Sequence, residues 1–413
     1  MEAEIISIGD ELLIGQVVNT NAAWMAEQLN LIGIKVKQVT VIADVRQAIL
    51  QTLAEATKRV SIVMLTGGLG PTNDDITKQT LCEYFDTHLV ADEASYKNVE
   101  TIFAMRGFRV TELNRKQAEV PANCIPIANL NGTAPGMWFE KNGIIYVSMP
   151  GVPFEMKLMM SDYILPELAK RFTSGAIVHK TILTQGMGES FLAVKIRHWE
   201  AALPSYIKLA YLPQPGLVRL RLTATGNDKE SLTREIEKQT STLLQLIPDL
   251  VFGFDDDTLE HVVGKLLMQK GKTISTAESC TGGYVAHMIT GVPGSSAYFK
   301  GSVVAYANEV KEQLLGVQHQ TLLQFGAVSQ QCVIEMAEGA RHIFNTDYAI
   351  ATSGISGPDG GTIEKPVGTT WIAIATPKTT ISEKFLFGEH RQRNIHKTAL
   401  QALQILRKEV EKD

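Results

Sequence analysis

Residues 60–75 read VSIVMLTGGLGPTNDD, an apolar run followed by a glycine-rich loop. The run at 60–65 predicts a buried β-strand, and the loop at 66–75 is expected to open a helix at Ile76. Further strands are predicted at 5–8 and 36–42, with helices at 22–32 and 48–57. Strands that alternate with helices of this length are typical of a parallel sheet with helices on both faces. We therefore predict a three-layer α/β fold for the N-terminal third.

Glycine and acidic residues follow each of these predicted strands. The carboxyl ends of parallel strands meet at one edge of a sheet, where ligands bind. Glycine-rich backbone at a helix N-terminus suits a phosphate, and nearby carboxylates suit a divalent metal that bridges to it. Each acid alone could equally be a turn or N-cap residue, but acidic loops at one edge together favour a site. The candidates are Gly9, Glu11, Asp44, Gly67, Gly68, Gly70, Asp74 and Asp75, with Glu155 in the first turn of a later helix as either a site carboxylate or a helix-dipole partner.

Two further segments follow the N-terminal domain. Residues 175–252 read β-α-β-β-α, with a hairpin around 213–216, which predicts a small α+β domain with a spacer or dimerisation role. Residues 255–413 again alternate strands and helices and predict a second α/β unit. The predicted domains are therefore 1–172, 175–252 and 255–413. The sequence shows no internal repeat and no low-complexity tract.

The composition is that of an ordinary globular protein, with 45% hydrophobic and 20% charged residues. The net charge of −5 argues against a nucleic-acid-binding surface. No apolar run approaches the ~18 residues of a membrane span, and residues 4–9 read directly as a strand without a signal-peptide pattern. We expect a cytoplasmic protein that binds no membrane and no nucleic acid. The scattered spacing of the cysteines favours reduced thiols over disulfides or a zinc site; they are Cys82, Cys124, Cys280 and Cys332.

The stretch TAESCTGG at 276–283 lies between a β-branched run and an apolar-periodic segment, which predicts a strand, a tight turn and a helix. A hydroxyl on such a turn lies beside the N–H groups that open the helix, and these donors can stabilise an oxyanion. Taken alone, the pattern is more often an N-cap and a turn than a catalytic site. Ser279 and Cys280 are adjacent candidate nucleophiles, and a thiol is intrinsically the better one.

These motifs together resemble the competence/damage-inducible protein family CinA over essentially the whole chain. The motifs that carry the resemblance are GDELL at 9–13, TGGLGPTNDDIT at 66–77, PGVP at 150–153, AESCTGG at 277–283, VPGSS at 292–296, GAVS at 326–329 and GGTIEKPVGT at 360–369. The N-terminal third is similar to the molybdopterin-binding fold, and the resemblance implies a KH-like shape for the middle segment. RNA binding does not follow from that shape, because fold alone does not carry function.

For the C-terminal unit the resemblance implies a nicotinamide mononucleotide deamidase that needs no cofactor. Ser279 would be the nucleophile and Lys311 the base, its pKa lowered by burial or by a neighbouring cation, with Tyr306 in a shared proton relay. The family's Gly-Asp-Arg motif is here GEHRQR at 388–393, so the family's arginine role could fall to Arg391 or Arg393. The oxyanion would be held by the amides of Thr281, Gly282 and Gly283, and the substrate phosphate by Gly354, Gly357, Gly360, Gly361, Thr362 and Lys365.

For the N-terminal domain the resemblance implies hydrolysis of ADP-ribose with a divalent metal (Co, Mn or Mg). Asp44, Asp74, Asp75 and Glu155 would be its ligands, and the protein would be a homodimer. Two other interpretations remain open. The chain could be a non-catalytic nucleotide-binding scaffold or competence partner, or the N-terminal domain could bind molybdopterin.

Overall fold

The structure is a computed structural model that describes residues 1–72, 75–105, 107–172 and 175–413. The chain divides into two compact units, Met1–Val178 with Ala224–Arg234 and His179–Thr223 with Glu235–Asp413. The division into three domains that the sequence predicts therefore stays a prediction. Within the described ranges, no helix is both long and apolar enough to cross a bilayer.

The N-terminal domain begins with the predicted alternation of strands and helices. Its elements are β1 (Glu2–Ile8), α1 (Asp10–Leu13), α2 (Thr20–Leu31), β2 (Lys35–Ile42), α3 (Arg46–Ala56), β3 (Ile62–Thr66), α4 (Thr77–Tyr84), β4 (Leu89–Ala91), α5 (Glu93–Met105), α6 (Glu112–Gln117), β5 (Glu119–Pro121), β6 (Ile125–Ile127), β7 (Gly136–Lys141), β8 (Ile144–Met149), α7 (Pro153–Met159), a π-helical turn (Met160–Ile164) and α8 (Leu165–Arg171).

The main sheet of this domain has the order β2-β1-β3-β8-β7-β6. Its first four strands are parallel, as predicted, whereas β7 and β6 pair antiparallel, so the sheet is mixed rather than fully parallel. Apolar side chains of α2, α7 and α8 form a core against one face, and those of α3 and α4 form a core against the other. The predicted three-layer α/β arrangement is confirmed.

The carboxyl ends of the parallel strands meet at one edge of this sheet. The Gly9 N–H donates to the Ile42 carbonyl at 3.1 Å, and the Gly67 N–H donates to the Met149 carbonyl at 3.0 Å. Gly67 has a φ of +115°, and a Cβ there would lie 2.1 Å from the Ile8 carbonyl oxygen. Only glycine fits between the strands at this point, so the loop after β3 stays close to the end of β1.

The middle segment forms a four-stranded sheet in the order β10-β11-β9-β12. Its elements are β9 (Ala176–Gln185), α9 (Glu189–Ala201), β10 (Ile207–Gln214), β11 (Leu217–Gly226), α10 (Lys229–Leu246) and β12 (Val251–Phe254). The predicted β-α-β-β-α order is therefore present, and β12 adds a strand antiparallel to β9.

The C-terminal part is built on a five-stranded sheet in the order β14-β13-β15-β16-β17. Strands β14, β13 and β15 are parallel, and β16 and β17 continue antiparallel. The elements are α11 (Leu259–Lys270), β13 (Ile274–Glu278), α12 (Tyr284–Thr290), a 3-10 turn (Ser295–Ala297), β14 (Phe299–Val304), α13 (Asn308–Leu315), α14 (His319–Phe325), α15 (Gln330–Phe344), β15 (Tyr348–Gly354), β16 (Thr369–Ala375), β17 (Thr380–Leu386) and α16 (Arg391–Lys412). Apolar side chains of α11, α12 and α16 cover one face, and those of α13 and α15 cover the other.

Candidate active site

Ser279 directly follows β13, a strand buried between β14 and β15. Its N–H donates to the Thr352 carbonyl of β15 at 3.0 Å, and its own carbonyl accepts the Gly282 N–H at 3.1 Å. Ser279 is half-buried, in contrast to the fully buried residues that precede it. The strand, tight turn and helix predicted from this stretch are therefore present, and they place the Ser279 residue at the carboxyl edge of the sheet.

Glu278, the last residue of β13, carries a carboxylate that is fully buried. The carboxylate accepts the Thr281 hydroxyl at 2.7 Å and the amides of Gly283, Val285 and Ala286 at 3.0, 3.0 and 2.8 Å. It thereby caps the otherwise unpaired N–H groups at the start of α12. Sequence reasoning missed this role, although an acidic residue just before a helix-opening turn is a recognisable capping signal.

The capping carboxylate corrects the predicted oxyanion hole. The Gly283 N–H is bound to Glu278, and the Gly282 N–H is bound to the Ser279 carbonyl, so neither is available to a ligand in this arrangement. Within the described part of the chain, the amides of Cys280 and Thr281 have no backbone acceptor.

Cys280 points into the protein, and only 7% of it is exposed. Burial raises the pKa of its thiol to about 12, and hydrogen bonds with its own backbone N–H and with Thr352 only partly offset this. A thiol rather than a thiolate therefore occupies this position at neutral pH, and the thiol is a poor nucleophile. Of the two adjacent candidates, Ser279 is the one whose environment is open to a substrate.

Lys311, on α13, is the most deeply buried ammonium of the C-terminal site, with 1% of the residue exposed. Its Nζ donates to the Ala305 carbonyl at 2.7 Å and lies 3.5 Å from the Tyr306 carbonyl. Burial lowers the Lys311 pKa, which the Cys332 and Cys280 thiols and Glu309 oppose. A buried lysine with a lowered pKa is a recurrent form of catalytic base.

Ser279 and Lys311 are anchored at adjacent strand ends. Ala305, which binds the Lys311 ammonium, also donates its N–H to the Glu278 carbonyl at 2.8 Å. No hydrogen bond joins the Ser279 hydroxyl to Lys311 among the described residues. The two predicted catalytic groups therefore belong to one edge of the sheet without forming a direct pair.

The structure distinguishes the two candidate arginines at the start of α16. The Arg391 guanidinium donates to the Tyr306 hydroxyl at 3.1 Å and to the Gly357 carbonyl at 2.8 Å. Arg393 is exposed, and in the described ranges its side chain makes no hydrogen bond or ion pair. Arg391 therefore joins two of the predicted site segments, whereas Arg393 joins none.

The first part of the loop that is predicted to bind the substrate phosphate lies beside the turn that carries Ser279. The Ser356 hydroxyl donates to the Cys280 carbonyl at 3.3 Å, and Asn394 of α16 donates to the Ser356 carbonyl at 3.0 Å. At the far end, Thr362 and Lys365 close a turn, and the Lys365 ammonium donates to the Phe325 carbonyl at 2.7 Å. Gly354 and Gly357 thus adjoin the turn, while Gly360, Gly361 and Thr362 form the exposed part of the loop.

In the N-terminal domain, Gly68, Gly70 and Asp75 line a cleft of about 480 Å³. The Asp75 carboxylate accepts the Thr72 N–H at 3.0 Å and the Thr72 hydroxyl at 2.5 Å, so it closes the end of the glycine-rich loop. The Asp44 carboxylate lies 3.1 Å from the position that a Cβ of Gly68 would take. The carboxylate of the exposed Glu11 likewise lies close to the position that a Cβ of Gly9 would take.

The predicted metal ligands are only partly brought together. Glu155 accepts a hydrogen bond from Asn129 at 2.7 Å and lines a separate cavity of about 240 Å³. Asp74 lies outside the described residues. Within the described residues no three acidic, histidine or cysteine side chains are grouped as metal ligands, so Asp44, Asp75 and Glu155 alone do not form a complete site.

Comparisons with known proteins cover each part of the chain. Residues 4–170 match the probable molybdopterin binding domain, residues 179–253 the damage-inducible protein CinA KH domain, and residues 256–410 the CinA C-terminal domain. A CinA-like protein of Cytophaga hutchinsonii is 50% identical over 99% of this chain and 98% of its own. The chain belongs to the CinA family. The molybdopterin-binding-like and KH-like folds expected for the first two domains are thus confirmed.

Other relatives carry names from the same family. A putative competence-damage inducible protein of Caldanaerobacter subterraneus is 40% identical over 100% of this chain and 99% of its own. Among solved structures, the competence/damage inducible protein CihA from Agrobacterium tumefaciens is 37% identical over 36% of this chain and 91% of its own, with a TM-score of 0.35.

Proposed function

We propose that the C-terminal domain hydrolyses the carboxamide of nicotinamide mononucleotide to the carboxylate and ammonia. The observation that carries this proposal is the buried Lys311, whose pKa is lowered by burial and whose Nζ is bound at the strand end next to that of Ser279. A serine amidase needs a hydroxyl and a base that accepts its proton. Because burial lowers the pKa of Lys311, this lysine loses its own proton more readily, so Ser279 and Lys311 are the hydroxyl and the base of the proposed reaction.

In the proposed reaction, the Ser279 hydroxyl gives its proton to neutral Lys311 as its oxygen bonds to the amide carbon. The tetrahedral intermediate then collapses, and its nitrogen leaves as ammonia with the proton returned by Lys311. Water hydrolyses the remaining acyl-serine to the carboxylate and restores Ser279. Because no hydrogen bond joins the two side chains in the described part of the chain, the first step requires a bridging water or a release of Lys311 from the Ala305 carbonyl.

Arg391 and the loop that begins at Gly354 support the choice of a phosphorylated substrate. The guanidinium connects the Tyr306 hydroxyl to the Gly357 carbonyl, so its charge lies against the first part of the predicted phosphate loop. Guanidinium groups and glycine-rich main chain are both common phosphate-binding groups. We propose that they hold the phosphate while the amides of Cys280 and Thr281 receive the developing oxyanion.

For the N-terminal domain we propose hydrolysis of ADP-ribose to AMP and ribose 5-phosphate. The cleft of about 480 Å³ beside the glycine-rich loop supports this assignment, since its size suits a nucleotide. A divalent ion would neutralise the pyrophosphate oxygens there, with Asp44 and Asp75 as its described candidate ligands.

The proposal is tested by incubating the full chain with each substrate, with and without added Mg²⁺, Mn²⁺ or Co²⁺. Release of ammonia from nicotinamide mononucleotide supports the amidase, and formation of AMP from ADP-ribose supports the hydrolase. A protein that binds both nucleotides and converts neither would contradict both assignments. Molybdopterin that displaces ADP-ribose would favour the molybdopterin interpretation.

A further inference from the structure

A further cavity, of about 180 Å³, lies within the unit that contains the C-terminal domain. Its apolar wall is formed by side chains of the middle segment's sheet and of three C-terminal helices. These side chains are Leu183, Leu217, Phe252, Leu259, Met288 and Leu400. Drug-sized sites are typically ~300–1,000 Å³, so this cavity suits a molecule of about one ring rather than a nucleotide.

The alternation of β11 explains why an arginine lines this apolar cavity. Val218 and Leu220 point into the core of the middle segment and are at most 4% exposed. Leu217 and Arg219 consequently face the opposite side of the strand, where both line the cavity. The hairpin before them packs on α16, since a Cβ at Gly216 would lie 3.3 Å from a methyl carbon of Leu400.

Arg219 lines the cavity and carries a buried donor that has no acceptor in the described part of the chain. Its Nε is buried and has no hydrogen-bond partner in the part of the chain that the structure describes. No carboxylate in those ranges lies within ion-pair distance of Arg219, and Asp257, which also lines the cavity, is 3.6 Å from Lys265 instead. Arg219 therefore brings to the cavity a positive charge without a carboxylate partner among the described residues, and an anionic ligand would pair with that charge.

We propose that this cavity binds a small monocarboxylate with an apolar body, whose carboxylate accepts from Arg219. The apolar wall takes the body of the ligand, and the arginine fixes its orientation. Asp257 and Glu260 at the same cavity disfavour a doubly charged phosphate ester. The ligand is therefore a carboxylic acid rather than a phosphorylated metabolite.

This site is separate from the Ser279 turn but shares two helices with it. Met288 belongs to α12, which opens immediately after that turn, and Leu400 belongs to α16, which begins at Arg391. A ligand held between Arg219 and these helices is thus placed to act as an effector of the C-terminal domain. The binding itself does not depend on which reaction that domain performs.

The test uses benzoate as the probe, with calorimetric titration of the full-length protein. Benzamide has the same shape without the charge, and phenyl phosphate carries a second charge. We expect benzoate to bind at least about tenfold more tightly than either of them. Arg219→Gln should weaken benzoate binding by about tenfold or more, and Leu217→Phe should weaken it by filling the cavity.

Arg221→Gln is the matched control, because Arg221 lies two residues further along the same strand and is exposed. This variant should bind benzoate as the wild type does, and thermal unfolding would establish that all three variants fold. Equal affinities for benzoate and benzamide in the wild-type protein would overturn the proposal without any variant. Absence of benzoate binding, or an Arg219→Gln variant with wild-type affinity, would overturn it as well.

Discussion

The Glu278 carboxylate and the Thr281 hydroxyl lie 2.7 Å apart in the buried turn that also holds Ser279. The same carboxylate binds three amides of the following turn and helix, so one acidic side chain fixes the geometry of the segment that follows the candidate nucleophile. A helix N-terminus that is already capped cannot also serve a substrate oxyanion. The amides of Cys280 and Thr281 become the remaining candidates for that role.

Glu278→Gln is expected to destabilise the protein and to slow the proposed amide hydrolysis. The new NH₂ group would face N–H donors, which leaves buried donors unpaired and costs about 1–3 kcal/mol of unfolding free energy. We expect kcat to fall more than KM rises, because the turn orients the nucleophile. Chemical denaturation and steady-state kinetics measure these changes.

Glu338→Gln is the control for that variant, since Glu338 is an exposed acid on α15. It should leave both measurements close to those of the wild type. A Glu278→Gln protein with wild-type stability and wild-type kcat would show that the capping carboxylate has no influence on the turn.

Alkylation should separate Ser279 from Cys280. Because burial raises the Cys280 thiol pKa to about 12, iodoacetamide at pH 8 should leave the proposed amidase activity intact. Ser279→Ala should reduce kcat by at least about a thousandfold, whereas Cys280→Ala should retain most of it. Loss of activity on alkylation together with an active Ser279→Ala variant would identify the thiol as the nucleophile.

The Lys311 pKa sets the expected pH dependence of the proposed amidase. Burial holds this pKa below its ordinary value of 10.5, and only neutral Lys311 accepts a proton. The rate should therefore be low where Lys311 is protonated and should rise with pH through the lowered pKa, with the midpoint below 10.5. A profile of kcat/KM against pH measures that midpoint.

Lys311→Met should abolish the activity without lowering the melting temperature greatly, because a buried charge is costly to keep. Lys300→Met, at an exposed position of β14, serves as the control and should keep both the rate and its pH profile. A Lys311→Met enzyme that retains the wild-type profile would exclude Lys311 as the base.

Arg391→Gln and Arg393→Gln form a matched pair at the start of α16. Of the two arginines, Arg391 is the one whose guanidinium donates to Tyr306 and Gly357, so Arg391→Gln should lower kcat/KM for nicotinamide mononucleotide by about tenfold to a hundredfold. Arg393→Gln should change it little. Steady-state kinetics on both variants would decide the assignment, and the reverse order of effects would transfer the role to Arg393.

The two proposed activities should respond differently to a chelator. EDTA is expected to stop AMP formation from ADP-ribose, with recovery on addition of Mg²⁺, Mn²⁺ or Co²⁺, and Asp44→Asn should weaken that recovery. Ammonia release should be unaffected, because no metal is assigned to the Ser279 site. Ammonia release that stops with EDTA would contradict this division.

The sequence predicts those features of the molecule that depend on local pattern. The apolar run at 60–65 and the stretch at 276–283 each become a strand followed by a tight turn, because periodicity and glycine placement act over a few residues. The local pattern does not predict the antiparallel pairing of β6 and β7, because strand direction within a sheet depends on distant pairing.

The contacts of individual site residues were also beyond sequence reasoning. Glu155 is bound by Asn129, which lies 26 positions earlier in the chain, and the choice between Arg391 and Arg393 rests on contacts with distant loops. The role of Glu278 as a cap depends on how the chain turns back after β13. Such contacts arise only when tertiary structure brings separate segments together.

The central claim is tested most directly by measuring ammonia and nicotinic acid mononucleotide during incubation of the full chain with nicotinamide mononucleotide and EDTA. Our account predicts equal amounts of the two products for the wild-type protein and none above background for Ser279→Ala. Absence of both products with the folded wild-type protein, or their undiminished release by Ser279→Ala, would contradict it.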